Sequence, residues 1–314
     1  MAEHTLLVLT TEQQKFGSKV RELELPDLDI LVPRDEATIR DGLTRANILL
    51  ANPIIAKKYI NDARNVVWMQ STFAGIDALN DPTLRKDYVL TNARDVYGPA
   101  MAEYVFAYIL LYRKEVLEHM RDQKEKAWKP HSQNTLQSQT LCILGAGSIG
   151  REIARMGKAF GMRVLGYRTS KKPAEHFDEI YSGDGLKTFL AEGDYIVDVL
   201  PNTAGTTNLI ESKTIAAMKQ TAVFINVGRG NSVNEDDIFD AVKKGRIAKA
   251  VLDVFKKEPL PAESPLWVTE NVFITPHISG SIVSDEIFSI FAENYRRFRA
   301  GRELKYQVDF QKGY

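Results

Sequence analysis

Residues 140–168, TLCILGAGSIGREIARMGKAFGMRVLGYR, decide the fold. Thr140–Leu144 is an apolar run of strand length. Gly145-Ala146-Gly147-Ser148-Ile149-Gly150 then turns the chain into a helix whose apolar positions include Ile149, Ile153, Met156 and Phe160. A second strand, Met162–Tyr167, follows. A G-x-G-x-x-G between a strand and a helix marks a dinucleotide site. Gly145 permits the tight turn, Gly147 lets the backbone approach a pyrophosphate, Gly150 lets helix and strand pack closely, and the helix N-terminus offers N–H groups to the anion. The plainer alternative is three glycines serving a turn alone.

The end of the second strand selects the dinucleotide. A site for NAD carries an acidic residue about 20 residues after the glycines, where it accepts hydrogen bonds from the ribose. Here the strand ends in Arg168-Thr169-Ser170-Lys171-Lys172, cations and hydroxyls in place of a carboxylate. A guanidinium makes charge-assisted bonds to a 2′-phosphate, which points to NADP/NADPH. A solvated basic turn is the alternative.

Working outward, 314 residues suffice for two domains at about 100–200 residues each. Hydrophobic residues make up 44% and charged residues 26%, and 41 basic residues balance 41 acidic ones. That balance argues against an extended surface for nucleic acid or acidic lipid. The one cysteine, Cys142, falls inside the first strand of the glycine unit, reads as a small buried hydrophobe and suits a reducing cytosol. The N-terminal segment has no signal-peptide pattern and no apolar run is of bilayer length, so the expected location is cytoplasmic with no membrane partner.

Short apolar runs at Leu6–Leu9, Ile30–Val32, Ile48–Leu50 and Val66–Met69, with polar or helical stretches between them, predict a first α/β unit before the glycine motif. After the fourth run, Gln70-Ser71-Thr72-Phe73-Ala74-Gly75 ends in small residues whose amides could face a ligand, or forms an ordinary strand-to-helix turn. A helix is expected from Gly98-Pro99 to Tyr112, apolar nearly all round and so buried in the core or against a second subunit. The polar stretch Arg121–Gln139 reads as a connecting arm. Further strands are expected at Tyr195–Leu200, Ala222–Val227, Ala250–Val254 and Val272–Thr275. Helices are expected at Glu211–Met218, at Glu235–Lys244 and from beyond Ser281 to about Arg299.

Ligands of open α/β sheets bind at the carboxyl ends of strands. One strand ends in Gly228-Arg229-Gly230, the next leads to Glu258-Pro259, and the last ends in Pro276-His277. An Arg, a Glu and a His on one rim are what hydride transfer to a 2-oxo acid requires. The carbonyl oxygen gains charge and needs a proton donor, His277, beside an electrophile, Arg229. Glu258, bonded to the other imidazole nitrogen, would raise the histidine pKa.

The motifs Leu144–Gly150, Leu200-Pro201-Asn202-Thr203, Asn226–Gly230, Leu252–Phe255 with Glu258-Pro259-Leu260, and Thr275-Pro276-His277 resemble the D-2-hydroxyacid dehydrogenase family over essentially the whole chain. The segment Pro261–Trp267 and the tail Gln307-Val308-Asp309 ending in Gly313-Tyr314 are similar to its glyoxylate/hydroxypyruvate reductase A branch. The resemblance implies two Rossmann-like open parallel-sheet domains. A discontinuous substrate-binding domain is expected at 1–97 with 285–314, and an NADP-binding domain at 98–284 whose segment 98–139 builds a homodimer.

It also implies catalytic roles for Arg229, Glu258 and His277, with Arg229 and His277 touching substrate. The amides of Ala74 and Gly75 would hold the substrate carboxylate. Gly145, Gly147, Ser148, Ile149, Gly150, Arg168, Thr169, Ser170, Leu200, Pro201, Thr203, Val227 and Asp253 would hold the cofactor, Asp253 near the nicotinamide carboxamide. Trp267 either lines the substrate pocket or packs its loop. Arg168 departs from the acidic residue of NAD-using members. Ser281 follows Gly280 where many members have more small residues. The expected reaction is NADPH-dependent reduction of glyoxylate or hydroxypyruvate; the alternatives are a bulkier 2-oxo acid, or a non-catalytic dinucleotide sensor resembling a corepressor.

Overall fold

The computed structural model describes residues 2–131, 134–280 and 285–311. Ser281 and the Gly313-Tyr314 end lie outside the described residues. The chain divides into two units, Met1–Val96 with Val283–Tyr314, and Tyr97–Ile282.

The first unit holds a parallel sheet of β1 (His4–Leu9), β2 (Leu28–Leu31), β3 (Ile48–Ala51), β4 (Trp68–Ser71) and β5 (Val89–Thr91), in the order β2-β1-β3-β4-β5. Leu6–Leu9 of β1 and the whole of β3 are buried on both faces, which is why they read as unbroken apolar runs. The helix Asp285–Arg299 packs Ile287, Phe288, Phe291 and Tyr295 into this unit, and Phe291 stacks on the buried Trp68 at 5.4 Å between ring centres.

Strand β4 lies two residues later than the apolar run Val66–Met69 predicts. Gln70 and Ser71 are fully buried within it, and the side-chain oxygen Oε1 of Gln70 accepts from Thr91 Oγ1 (2.8 Å) and Asn294 Nδ2 (3.2 Å). Those partners allow polar residues in a core strand. Strand β5 was not expected, being an edge strand of three residues.

The second unit holds β6 (Thr140–Leu144), β7 (Arg163–Tyr167), β8 (Glu179–Tyr181), β9 (Tyr195–Asp198), β10 (Val223–Asn226), β11 (Lys249–Leu252) and β12 (Val272–Ile274). All pair in parallel, in the order β12-β11-β10-β9-β6-β7-β8. The order reverses between β6 and β9, the switch point at which such sheets take their ligands. The short edge strand β8 also escaped the sequence pattern. Cys142 is buried, its thiol donating to the Phe189 carbonyl at 3.2 Å.

The helix Gly98–Arg113 buries Met101, Ala102, Val105, Phe106 and Ile109, with Phe106 stacked on Phe160 at 5.2 Å. Part of the stretch read as a polar arm is instead a helix, Val116–Lys124, set off by Glu115 in the left-handed region (φ 50°). The helix expected over Glu211–Met218 spans only Ser212–Ile215, closed at its start by a capping box of Glu211 and Thr214. Among the described residues no helix is long and apolar enough to cross a membrane.

Candidate active site

Register brings the carboxyl ends of the central strands of the second unit into line. Leu144 pairs with Asp198, Asp198 with Asn226, Asn226 with Leu252, and Leu252 with Ile274. The next residue along each strand is therefore Gly145, Val199, Val227, Asp253 or Thr275, and the loops that follow share one rim.

The glycine turn has the geometry of an anion cradle. Gly145 takes φ +105°, a conformation an L side chain resists, and a Cβ on Gly150 would lie 2.0 Å from the Gly145 carbonyl oxygen. A Cβ on Gly147 would meet nothing within 4 Å. The helix that begins at Ser148 and Ile149 has no side-chain cap, so its first amides point to whatever occupies the turn. Arg168 lies at the end of β7 with its Nε–H on the Ser170 carbonyl (3.1 Å); both are half-buried, and Thr169 between them is exposed.

On the far side of the switch point, Leu200 and Val227 are buried. Thr206 folds the Pro201–Thr203 segment by donating to the Pro201 carbonyl (2.6 Å) and accepting from the Thr203 amide (2.9 Å). These residues fit a dinucleotide: a cradle open at Gly147, a helix terminus for the pyrophosphate, and a guanidinium where a carboxylate would repel a 2′-phosphate.

His277 and Glu258 are joined, His277 Nδ1 lying 2.8 Å from Glu258 Oε2. The carboxylate only accepts, so Nδ1 carries the proton of this bond. The Phe255 amide donates to Glu258 Oε1 at 2.9 Å and fixes the carboxylate from its other side; the Glu258–Pro259 peptide is cis. The bond to Glu258 raises the His277 pKa above its ordinary value, against burial and the Arg229 charge, with the charges of Glu258 and Asp253 adding to the rise. For Glu258, burial pushes upward, but the His277 bond, the Phe255 amide and the charges of His277 and Arg229 together hold it below the usual carboxylate range. Arg229 thus lies close enough to act on both. Its Nη1 donates to the Gly228 carbonyl at 2.7 Å. Gly230 beside it is required by close approach, since a Cβ there would lie 1.9 Å from the Phe255 carbonyl carbon.

His277 sits at φ +55°, a left-handed conformation that persists only where neighbours hold it. Asp253 does so. Its Oδ1 accepts from Thr275 Oγ1 (2.5 Å) and the Ile278 amide (2.8 Å), its Oδ2 from the Ser279 amide (2.9 Å), and its carbonyl from the His277 amide (2.9 Å). Tyr104 Oη lies 2.5 Å from Thr275 Oγ1. Thr275 gives its only proton to the carboxylate, so Tyr104 must donate to Thr275. Burial raises the Tyr104 pKa and keeps it a donor. Asp253 is fully buried, and its contacts make it the clamp of the histidine loop. Sequence reading missed Thr275 and Tyr104 in this network; nothing distinguishes Tyr104 within an apolar helical pattern.

Trp267 is about half exposed, with its indole N–H on the Pro261 carbonyl of its own loop (2.9 Å). Ala74 and Gly75 follow β4 in the first unit. The Asn92 side chain donates to the Ala74 carbonyl at 2.9 Å and sets the loop, while among the described residues the amides of Ala74 and Gly75 reach no acceptor in the chain.

Residues 106–279 match the family model described as D-isomer specific 2-hydroxyacid dehydrogenase, NAD binding domain. A curated glyoxylate/hydroxypyruvate reductase A from Yersinia enterocolitica is 30% identical over 248 residues, 77% of this chain and 79% of its own. The crystal structure of a D-isomer specific 2-hydroxyacid dehydrogenase family protein from Aeromonas salmonicida is 41% identical with a TM-score of 0.94, covering 98% of this chain and 99% of its own. An NADPH-dependent glyoxylate/hydroxypyruvate reductase from Sinorhizobium meliloti, solved with NADP and sulfate, is 26% identical with a TM-score of 0.86 over 99% of this chain and 100% of its own. The chain thus belongs to the D-isomer specific 2-hydroxyacid dehydrogenase family, on its glyoxylate/hydroxypyruvate reductase A branch, and is an enzyme of that dehydrogenase class.

Proposed function

We propose that this enzyme uses NADPH to reduce small 2-oxo acids, glyoxylate and hydroxypyruvate first among them, to 2-hydroxy acids. The observation that carries the reading is the His277–Glu258 pair beside Arg229, on the same rim as the glycine turn. The second unit is the NADP-binding domain and the first the substrate-binding domain. Gly145, Gly147, Ser148, Ile149 and Gly150 take the pyrophosphate, and Arg168, Thr169 and Ser170 the 2′-phosphate. Leu200, Pro201, Thr203, Val227 and Asp253 border the rest of the cofactor, whose nicotinamide supplies the hydride when bound.

His277 donates the proton of Nε2 to the carbonyl oxygen as charge develops there, while Glu258 holds Nδ1–H and stabilises the imidazolium. Arg229 polarises the carbonyl and binds the carboxylate, and the Ala74 and Gly75 amides supply further donors to that carboxylate. Trp267 either lines the substrate pocket or packs its own loop, and its indole bond to the Pro261 carbonyl supports the second role. We further read the protein as a cytoplasmic homodimer. Support for the dimer comes from the 98–131 segment, where Trp128 is fully exposed and Met120 is 52% exposed.

The test is loss of NADPH absorbance with glyoxylate, hydroxypyruvate, pyruvate and phenylpyruvate in parallel, repeated with NADH. Rapid oxidation of NADPH by the small acids is expected; NADPH binding without turnover of any of them would overturn the reading. Light scattering of wild type against Trp128→Glu tests the dimer, and an unchanged mass would remove the 98–131 surface from it.

A further inference from the structure

Asp198 ends β9 and is wholly buried, yet the mechanism above does not use it. Its Oδ1 accepts from the Leu200 amide at 2.9 Å, and its Oδ2 lies 2.6 Å from Ser232 Oγ. The same Ser232 Oγ lies 2.7 Å from the carbonyl oxygen of Arg229. A serine hydroxyl carries one proton. Were Asp198 ionised, both neighbours would be acceptors competing for it, and one of two buried oxygen pairs would face lone pair to lone pair.

A second proton removes the conflict. As a neutral acid, Asp198 donates through Oδ2 to Ser232 Oγ, and Ser232 then donates to the Arg229 carbonyl. The Arg229 carbonyl also accepts from Asn226 Nδ2 at 3.1 Å and, more distantly, from the Ser232 amide at 3.3 Å, and Asn226 Oδ1 in turn accepts from the Gly228 amide at 3.0 Å. The Asp198 carboxyl, the Ser232 hydroxyl and the Arg229 carbonyl then each meet a partner of the opposite kind.

The surroundings favour the neutral form. Strands β6 and β10 bring Leu144 and Asn226 alongside, and the turn after β10 brings Ser232; none of the three ionises. The charged residue of that turn, Arg229, places its Nη1 on the Gly228 carbonyl. Burial pushes the Asp198 carboxyl up to about 6, against the lowering effect of the Ser232 hydroxyl and the Leu200 amide.

We propose that Asp198 is a positioning residue for Arg229: its carboxyl proton commits the Ser232 hydroxyl to the Arg229 carbonyl, and so fixes the backbone from which the guanidinium projects. When Asp198 loses that proton to solvent, Ser232 turns to the carboxylate and the Arg229 carbonyl keeps Asn226 as its side-chain donor. Binding of the 2-oxo acid therefore weakens as pH rises through the Asp198 ionisation, separately from proton donation by His277. The effect on substrate rests on the reductase reading; the proton on Asp198 does not.

Two measurements test this. The first is KM and kcat for glyoxylate between about pH 5 and about pH 8, a range chosen to span the ionisation. Wild-type KM is expected to rise about threefold to tenfold, the size of one lost hydrogen bond. Asp198→Asn donates to Ser232 at every pH and should hold KM at its acid-side value. Ser232→Ala should show a high, pH-independent KM, and it serves alone if the Asn variant does not fold. Parallel KM profiles in wild type and variants would overturn the proposal.

The second is the thermal midpoint over the same pH range, which needs no turnover. A carboxyl raised by burial binds its proton more tightly folded than unfolded, so its stabilising contribution is full at low pH and lost as pH rises. The gap between Asp198→Asn and wild type should widen with pH, and a constant gap would overturn the neutral acid. Absence of turnover together with a widening gap would instead sink the reductase reading and leave the Asp198 assignment standing.

Discussion

The loop after β4 and the loops after β10, β11 and β12 stand at the carboxyl ends of parallel sheets, yet they offer different chemistry. The first presents main-chain amides at Ala74 and Gly75, set by Asn92. The second presents side chains: Arg229, Glu258 and His277, each fixed by a backbone or carboxylate partner. Amides hold an anion without regard to side-chain identity, whereas proton transfer and a bidentate clamp depend on it. One region should tolerate substitution that the other cannot.

The largest expected effect is at His277. His277→Ala should lower kcat by about a thousandfold, within the span of general acid catalysis, while NADPH binding measured by fluorescence stays within about twofold of wild type. Retained turnover would break the comparison at its centre. Arg229→Lys keeps the charge and loses the fork; KM for glyoxylate should rise about tenfold or more in steady-state assays.

Glu258→Gln sharpens the comparison through pH. With His277 as the proposed proton donor, reduction needs the imidazolium, so activity should be present below the His277 pKa and fall as pH rises through it. Glu258 raises that pKa. The neutral amide removes that carboxylate and should therefore move the falling limb of kcat to lower pH in the measured pH profile. Arg168→Glu should shift the ratio of kcat/KM for NADPH over NADH by about tenfold toward NADH, the size of one charge-assisted bond. Ala74→Ser, which alters a side chain and keeps the amide, should change KM by no more than about twofold; a larger change would mean that the first region also works through side chains.

The same contrast explains what could be read from the chain alone. Local rules gave the glycine turn: a strand, three glycines and an amphipathic helix are a continuous stretch whose meaning does not wait on the rest of the molecule. Arg229, Glu258 and His277 were legible as charged or titratable residues at strand ends. The supports behind them were not. Tyr104 lies in the helix Gly98–Arg113, about 170 residues before its partner Thr275, and only tertiary folding brings them to 2.5 Å. Asp198 and Ser232 left a faint trace, an acidic residue closing an apolar strand, which calls for a partner without naming it. Strand β4 slipped for the same reason, since Gln70 is tolerable in a core only once Thr91 and Asn294 are in place.

Cys142, introduced as a small buried residue of the strand that leads into the glycine turn, makes the seven-stranded sheet readable from outside. It is the chain's one thiol, buried, with its pKa raised by that burial. A thiol reagent can label it only when β6 parts from its surroundings, so the labelling rate becomes a clock for opening of that sheet. Slowing of that clock by added NADPH would measure, in native protein and without any substrate, how strongly the bound nucleotide restrains the strand that carries its own glycine turn.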